Sequence, residues 1–245
     1  MRLILELTLT KEEFILDYRP LCLSYFKNAL SEYQSGASFE RYYAPSTNKP
    51  FTFAVGLNRA AFNGDKITIS HKRIKIFWST DEIETGITFY NALLQQKYKW
   101  YPLPMGNSMR LEHIAIEKEV IISANDIEIA FASPLCVRKH DKERNYDQYF
   151  SYGKEGFDEM LRQVLKRQLV EQGILQDNLL NDFSLEAISY KKTVVKHHGQ
   201  YIEVTLGNFW MHGDIRLLTH FYLAGIGSRR SGGFGYFNVL KQGGD

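Results

Sequence analysis

The most informative stretch of the sequence is glycine-rich and lies near the C-terminus: Gly225-Ile-Gly-Ser-Arg-Arg-Ser-Gly-Gly-Phe-Gly235. It follows an apparent helix and leads into an apparent strand, Phe234 to Leu240. Glycine lets the backbone approach a ligand closely, and the planar guanidinium of arginine suits phosphate. The stretch therefore predicts either a phosphate-binding loop or a helix-to-strand turn with a surface arginine pair. It is not the G-x-G-x-x-G fingerprint, because Arg230 stands where the third glycine would be.

Composition indicates a globular protein of one large or two ordinary domains, with 245 residues, 44% of them hydrophobic and 24% charged. A net charge of +2 does not by itself indicate a nucleic-acid partner. No apolar run approaches the ~18 residues of a membrane span, so we expect no membrane partner. Cys22 and Cys136 are far apart and near no histidine cluster, which favours reduced, buried thiols over a metal site. Together these features predict a cytoplasmic protein.

The first half of the chain reads as β-α-β-β-α-β. Leu3, Leu5, Leu7 and Leu9 alternate with other residues, as in a half-buried strand. The other elements predicted in this half are a helix from Pro20 to Gly36, a strand from Pro50 to Leu57, one bulged strand from Lys66 to Trp78, a helix with Ile83, Ile87, Tyr90 and Leu94 on one apolar face, and a strand from Leu111 to Ile122. We assign residues 1–125 to this domain.

The second half repeats that order, and we assign residues 126–245 to it. Its predicted elements are a strand from Ile127 to Val137, a charged loop from Arg138 to Asn145, a helix from Gly156 to Glu171, strands Leu185–Val195 and Tyr201–Trp210, a helix from Ile215 to Ala224 and the final strand. The predicted fold class is therefore α+β, with tandem ferredoxin-like (RRM-like) β-α-β-β-α-β domains. A four-stranded sheet of this topology is a common nucleic-acid platform. Residues 186–241 are basic, with seven Lys or Arg against three acidic residues.

Four segments carry a resemblance to a known family. They are the glycine-rich end Gly225–Gly235, Lys49-Pro-Phe-Thr-Phe53, Ser133-Pro-Leu-Cys-Val-Arg138 and Lys192-Thr-Val-Val-Lys-His-His198. Together, and in their order along the chain, they resemble the CRISPR repeat-processing endoribonucleases, the Cas-six family of the RAMP superfamily. The resemblance covers nearly the whole chain.

The resemblance implies that the partner is CRISPR repeat RNA within precursor CRISPR RNA, cut once per repeat. The implied chemistry needs no metal and no cofactor: the ribose 2′-hydroxyl attacks the adjacent phosphate and leaves a 2′,3′-cyclic phosphate and a 5′-hydroxyl. Two alternatives stay open, a non-cleaving protein that only holds the repeat and another RAMP subunit bound along guide RNA. Whether the chain forms a homodimer or joins other Cas effector-complex subunits is also left open.

The expected catalytic site departs from the family pattern at one position. Many family members have a histidine in the loop after the first helix, whereas this chain has none before His71. We therefore predict Tyr42, Lys49 and His140 as catalytic candidates; the competing interpretation places Tyr42 in the core and leaves Lys49 and His140 solvated. The predicted RNA-binding residues are Arg229 and Arg230 with Gly227, Ser228, Ser231 and Gly232, and secondarily Lys191, Lys192, Lys196, His197 and His198.

Overall fold

The computed structural model of the chain describes residues 1–43, 49–57, 59–174 and 178–243. Within them the helices are α1 Arg19–Glu32, α2 Ala37–Tyr43, α3 Ile83–Leu94, α4 Phe157–Glu171 and α5 Ile215–Ala224. The strands of the first half are β1 Arg2–Leu9, β2 Glu13–Ile15, β3 Thr52–Leu57, β4 Ala61–Asn63, β5 Lys66–Thr68, β6 Arg73–Ser79, β7 Trp100–Leu103 and β8 Asn107–Ile116. Those of the second half are β9 Asp126–Phe131, β10 Arg138–Asp141, β11 Tyr146–Tyr149, β12 Ser184–His197, β13 Gln200–His212 and β14 Phe237–Gln242.

Each half of the chain forms a ferredoxin-like unit, which confirms the predicted fold class. The first sheet is antiparallel in the order β3-β6-β1-β8, with β7 added at the edge, and the second has the order β12-β13-β9-β14. The alternating leucines of β1 are all buried, because one face of this central strand packs on the helices. None of the helices described combines enough length and apolarity to cross a bilayer.

Several predicted elements differ from the structure. The strand predicted from Leu111 to Ile122 is β8, which ends at Ile116, and the helix predicted to reach Gly36 ends at Glu32. The stretch from Lys66 to Trp78 is not one bulged strand: β5 pairs with β2 and β4 in a separate small sheet, and only β6 joins the main sheet. The break lies at His71 and Lys72, whose φ angles of 65° and 53° cannot continue a strand. The strand predicted to reach Val137 ends at Phe131, before Pro134. The predicted charged loop is the β10–β11 hairpin.

Helix α3 does not bury the apolar face that its sequence suggests. Its buried residues are Thr85, Gly86, Phe89, Ala92 and Leu93. Ile83, Ile87 and Leu94, by contrast, are exposed. The sheet receives the side that carries the large ring of Phe89, which packs on Trp78 with ring centroids 4.7 Å apart. The aliphatic stripe is left on the surface.

The two units meet along the glycine-rich stretch. Thr52 Oγ1 donates to the carbonyl oxygen of Phe234 at 2.7 Å, and Arg19 Nε donates to that of Gly233 at 3.1 Å. A Cβ on Gly225 would lie 2.7 Å from Cβ of Thr52. The glycines therefore let this segment lie directly against β3 of the first unit, where a side chain would not fit.

Candidate nucleic-acid interface

The glycine-rich stretch is mostly buried and uses its backbone within the protein. A Cβ on Gly227 would lie 2.7 Å from the carbonyl oxygen of Cys136. Ser228 donates its N–H to the same oxygen at 2.7 Å, and its hydroxyl accepts from the Arg138 N–H. Gly232 donates its N–H to the Arg229 carbonyl. The N–H groups of Ser228 and Gly232 therefore already have acceptors inside the protein. This corrects the prediction that they form a phosphate-binding loop.

The adjacent arginines lie in different environments. Arg230 is 5% exposed, and its Nη1 donates to the carbonyl oxygen of Ala224 at 2.9 Å, at the end of α5. Burial lowers the pKa of Arg230 to about 10. This corrects the prediction of a surface pair: Arg230 is chiefly a structural cation that caps α5. Arg229, by contrast, has a φ angle of 57° and lines a cleft between the two units.

Asp147 of the β10–β11 hairpin contacts two arginines and a histidine. It accepts two hydrogen bonds from Arg138 Nη1 at 2.9 and 3.0 Å, one from Arg229 Nη2 at 2.8 Å, and pairs with His140 Nδ1 at 2.7 Å. Burial opposes ionisation of Asp147, but the hydrogen bonds from Arg138 and His140 outweigh it and lower its pKa to about 2. The carboxylate of Asp147 thus fixes the orientation of the Arg138 and Arg229 side chains.

A cleft of about 390 Å³ opens between the two units, and we call it the central cleft. It is lined by Pro20, Leu23, Ser24 and Lys27 of α1 and by Tyr43, Lys49, Arg138, His197, His198, Arg229, Ser231 and Gly232. None of these lining residues carries a carboxylate. A smaller hollow of about 190 Å³ continues from it and adds Arg167, Arg230 and Glu171. Fixed positive charge therefore dominates the central cleft, which suits a polyanion.

Lys49 and Lys27 flank one aromatic ring in the central cleft. Their Nζ atoms lie 5.1 and 5.0 Å from the centroid of Tyr43. Partial burial, followed by the charge of Lys27, lowers the pKa of Lys49. A lysine whose charged form is disfavoured releases its proton more readily, which is the property required of a general acid.

Tyr42 does not reach the central cleft, in contrast to the prediction. It is 2% exposed, its hydroxyl donates to Thr85 Oγ1 at 3.0 Å, and its ring packs edge-on against Phe89. Neighbouring positions of a helix point about 100° apart, so α2 directs Tyr43 into the cleft and Tyr42 into the core. Tyr42 is therefore a core residue.

The histidines occupy distinct positions. His197 lines the central cleft but is 4% exposed, and its ring meets Phe234 edge-on at 5.2 Å. Burial, then the charges of His198 and Arg229, lowers its pKa to about 3. His198 is exposed at the β12–β13 turn and lines the same cleft. His140 is not one of the residues that line the cleft; it contacts Asp147 on the hairpin.

The predicted lysines of β12 do not gather in the central cleft. Lys196 Nζ donates to Asp65 Oδ1 at 2.8 Å and links the two units. Lys191 and Lys192 are exposed, opposite Leu206 and Thr205. Lys192 lines a separate hollow that also contains Lys154 and Glu203. The strand carries these side chains away from the cleft.

Sequence reasoning did not predict three residues of the interface, Lys27, Arg138 and Asp147, although Arg138 ends one of the four segments that resemble the family. Lys27 shares one face of α1 with Pro20 and Ser24 at spacings of four and three, so a helical projection could have found it beside the buried face. Asp147 carried no such signal, because its arginine partners come from another strand and from the glycine-rich stretch.

One protein family and several solved structures match the chain. Residues 116–239 match the family described as "CRISPR associated protein Cas6, C-terminal". The chain also resembles the structure titled "Characterization of a Cas6-related gene from Pyrococcus furiosus", at 19% identity, TM-score 0.83 and 98% coverage of both chains. A second structure, "An RAMP protein binding different RNA substrates", has 19% identity and TM-score 0.82, with 98% of this chain and 100% of that one covered.

A further structure, titled as a Cas6 product complex, matches at 14% identity and TM-score 0.70, with 98% of this chain and 99% of that one covered. These structural likenesses concern the fold. No curated protein sequence matches the chain. The family match spans half of the chain and includes the second ferredoxin-like unit with its glycine-rich stretch. The chain therefore belongs to the Cas6 family of CRISPR-associated proteins.

Proposed function

We propose that this protein binds CRISPR repeat RNA in the central cleft and cleaves precursor CRISPR RNA once per repeat without a metal ion. The ribose 2′-hydroxyl attacks the adjacent phosphorus, the bond from phosphorus to the 5′-oxygen breaks, and the products carry a 2′,3′-cyclic phosphate and a 5′-hydroxyl. Membership of the Cas6 family and the fold shared with RNA-bound relatives support this substrate.

The observation that carries the proposal is the concentration of cations in the central cleft. Lys27, Lys49, Arg138 and Arg229 line it, and none of the described lining residues is acidic. Cations held in place before the reaction stabilise the additional negative charge of a pentavalent phosphorane without reorganisation. Asp147 keeps Arg138 and Arg229 directed towards this region by bonds of 2.8–3.0 Å.

The proton transfers can be assigned to groups of the same cleft. Lys49, whose pKa burial lowers, donates a proton to the departing 5′-oxygen. His198 takes the proton of the attacking 2′-hydroxyl, because imidazole is the commonest general base of enzymes and this ring is exposed at the cleft. His197 is unsuited to that role, since a pKa of about 3 makes it a weak base. Lys27 and Arg229 neutralise the phosphorane.

A non-cleaving RNA-binding protein is the second candidate function. The positions of two predicted catalytic residues favour it: Tyr42 lies in the core, and His140 is outside the set that lines the cleft. Such a protein would use the same cations to hold the repeat and would not need the two proton transfers.

A cleavage assay distinguishes the two functions. The purified chain is mixed with end-labelled repeat RNA in excess EDTA, beside a matched RNA with a 2′-deoxy sugar at the cut. Cleavage of the first RNA alone supports the proposed chemistry, and His198→Gln should then slow cleavage with little change in binding. Binding of both RNAs without cleavage refutes the nuclease and supports the second function. Loss of cleavage in EDTA that Mg²⁺ restores refutes metal independence.

A further inference from the structure

The small sheet of β2, β5 and β4 places two carboxylates side by side. Asp17 follows β2 and precedes α1, and Asp65 lies in the turn between β4 and β5. The Leu16 N–H donates to the carbonyl oxygen of Asp65 at 2.9 Å, which brings the two aspartates close together. This small sheet is separate from the sheets of the two ferredoxin-like units, so it is an addition to the basic fold.

Both aspartates bind the end of the β12–β13 hairpin, which belongs to the second unit. Oδ2 of Asp17 accepts from the Gly199 N–H at 2.8 Å, and Oδ1 of Asp65 accepts from Lys196 Nζ at 2.8 Å. In sequence the two donors lie on either side of His198, which the proposed mechanism uses as the general base. The turn is therefore fixed to the first unit both before and after this residue.

The backbone of the turn does not itself call for a histidine. Both central residues have positive φ, 50° at His198 and 76° at Gly199. Asparagine, aspartate or glycine usually stands first in a two-residue hairpin turn of this kind. The imidazole at this position is therefore better explained by what its side chain does than by the conformation of the turn.

His197 supports the His198 ring from within the second unit. The two ring centroids lie 4.5 Å apart, with the ring planes at 69°. His197 is itself held in place, because its ring packs edge-on against Phe234 and a Cβ on Gly232 would lie 3.3 Å from its Nε2 atom. The buried imidazole thus supports the exposed one, which lines the central cleft.

We propose that Asp17 and Asp65 are positioning residues for RNA cleavage, which hold His198 where it takes the proton of the 2′-hydroxyl. This role rests on the proposed function, in which His198 is the general base, and adds what fixes that base in place. A general base must lie within about 2.6–3.2 Å of the atom whose proton it takes. Hairpin tips open more readily than the strands behind them. The small sheet prevents this opening at the edge of the cleft.

Single-turnover cleavage of repeat RNA tests the role in catalysis, with affinity measured on the 2′-deoxy RNA. Asp17→Ala should reduce the rate roughly tenfold with little change in affinity, and Asp65→Ala should act in the same direction. Asp17→Asn should recover most of the rate, because the amide oxygen can still accept from the Gly199 N–H. Glu13→Ala is the matched control, since Glu13 lies on the same small sheet but pairs with Lys66. Equal effects of Asp17→Ala and Glu13→Ala overturn the proposal.

A double-mutant cycle separates positioning from a general loss of structure. His198→Asn removes the imidazole and keeps a residue suited to the turn. If Asp17 acts through His198, adding Asp17→Ala to His198→Asn should leave the rate unchanged within about twofold. A further loss in the double variant of roughly tenfold, as independent sites give, overturns the positioning role.

Hydrogen exchange of the free protein tests the contact between turn and small sheet without RNA. Asp17→Ala combined with Asp65→Ala should raise the exchange rate of the Gly199 N–H roughly tenfold, while the amides of β9, inside the second sheet, keep their wild-type rates. Unchanged exchange at Gly199 overturns the proposal, whatever the RNA results are. A wild-type chain that does not cleave would instead refute the proposed function and the catalytic role, whereas faster exchange would still support the contact.

Discussion

Replacing Asp147 with Asn tests whether the hairpin carboxylate holds the arginines of the central cleft. The side chain of Asp147 is 18% exposed and receives bonds from Arg138, Arg229 and His140. Its pKa falls from 3.8 to about 2, and at 1.36 kcal/mol per unit this corresponds to about 2 kcal/mol of folding free energy near neutral pH. Asp147→Asn should lower the free energy of unfolding by about that amount.

The pH dependence has a definite sign. Because the folded pKa is below the unfolded one, the stabilisation is complete well above pH 3.8 and is lost as the pH falls towards 2. About half of the difference between wild type and variant should be gone near pH 3. The assay is urea unfolding of both proteins across this range, with RNA absent.

Asp141→Asn provides the control, because Asp141 lies on the same hairpin but caps its turn by accepting from the N–H groups of Glu143 and Arg144. Because Asp141 pairs with neither Arg138 nor Arg229, Asp141→Asn should lower the free energy of unfolding at pH 7 by less than Asp147→Asn does. An Asp147→Asn protein as stable as wild type at pH 7 would refute the reasoning, as would a stability difference that stays constant down to pH 2.

Three further outcomes concern the cleft and the contact between the units. Arg229→Ala should weaken repeat binding and reduce the slope of log K against log salt by about 1, whereas Arg230→Ala should mainly lower the unfolding midpoint; equal effects on binding would contradict the different burial of the two arginines. Lys49→Ala should reduce the single-turnover rate more than affinity, and a parallel fall would make it a binding residue only. Gly233→Ala should destabilise the protein by about 1–3 kcal/mol more than Gly199→Ala. Both glycines have positive φ, but only a Cβ at Gly233 meets a neighbouring ring, that of Phe53 at 2.8 Å. Equal shifts of the thermal midpoint would contradict this.

Much of the fold was predictable because it depends on local periodicity. The alternating leucines of β1 are buried and α5 spans Ile215–Ala224, both as predicted. The errors arise where pairing or burial is decided elsewhere in the chain. The charged segment after Val137 forms a hairpin, in which Arg138 and His140 of one strand contact Asp147 of the other.

The predictions for individual site residues depend on which side of the backbone each one occupies. Lys49, Arg229 and His197 line the central cleft. Tyr42 and Arg230 are each adjacent in sequence to a cleft residue, yet they are buried. A difference of one position reverses the environment of a side chain, and composition carries no information at that resolution.

By itself the sequence determined the class of the fold, the order of its elements and the motifs of the Cas6 family, because periodicity and glycine spacing are properties of short segments. Only the tertiary structure decided that the glycines serve contact between the two units, that Lys27 and Lys49 flank one ring, and that Asp147 binds two arginines of the cleft. It also decided that α3 turns Phe89 inward and leaves its aliphatic stripe outside. These outcomes depend on distances between residues far apart in the chain, which are set when the two sheets and their helices pack together.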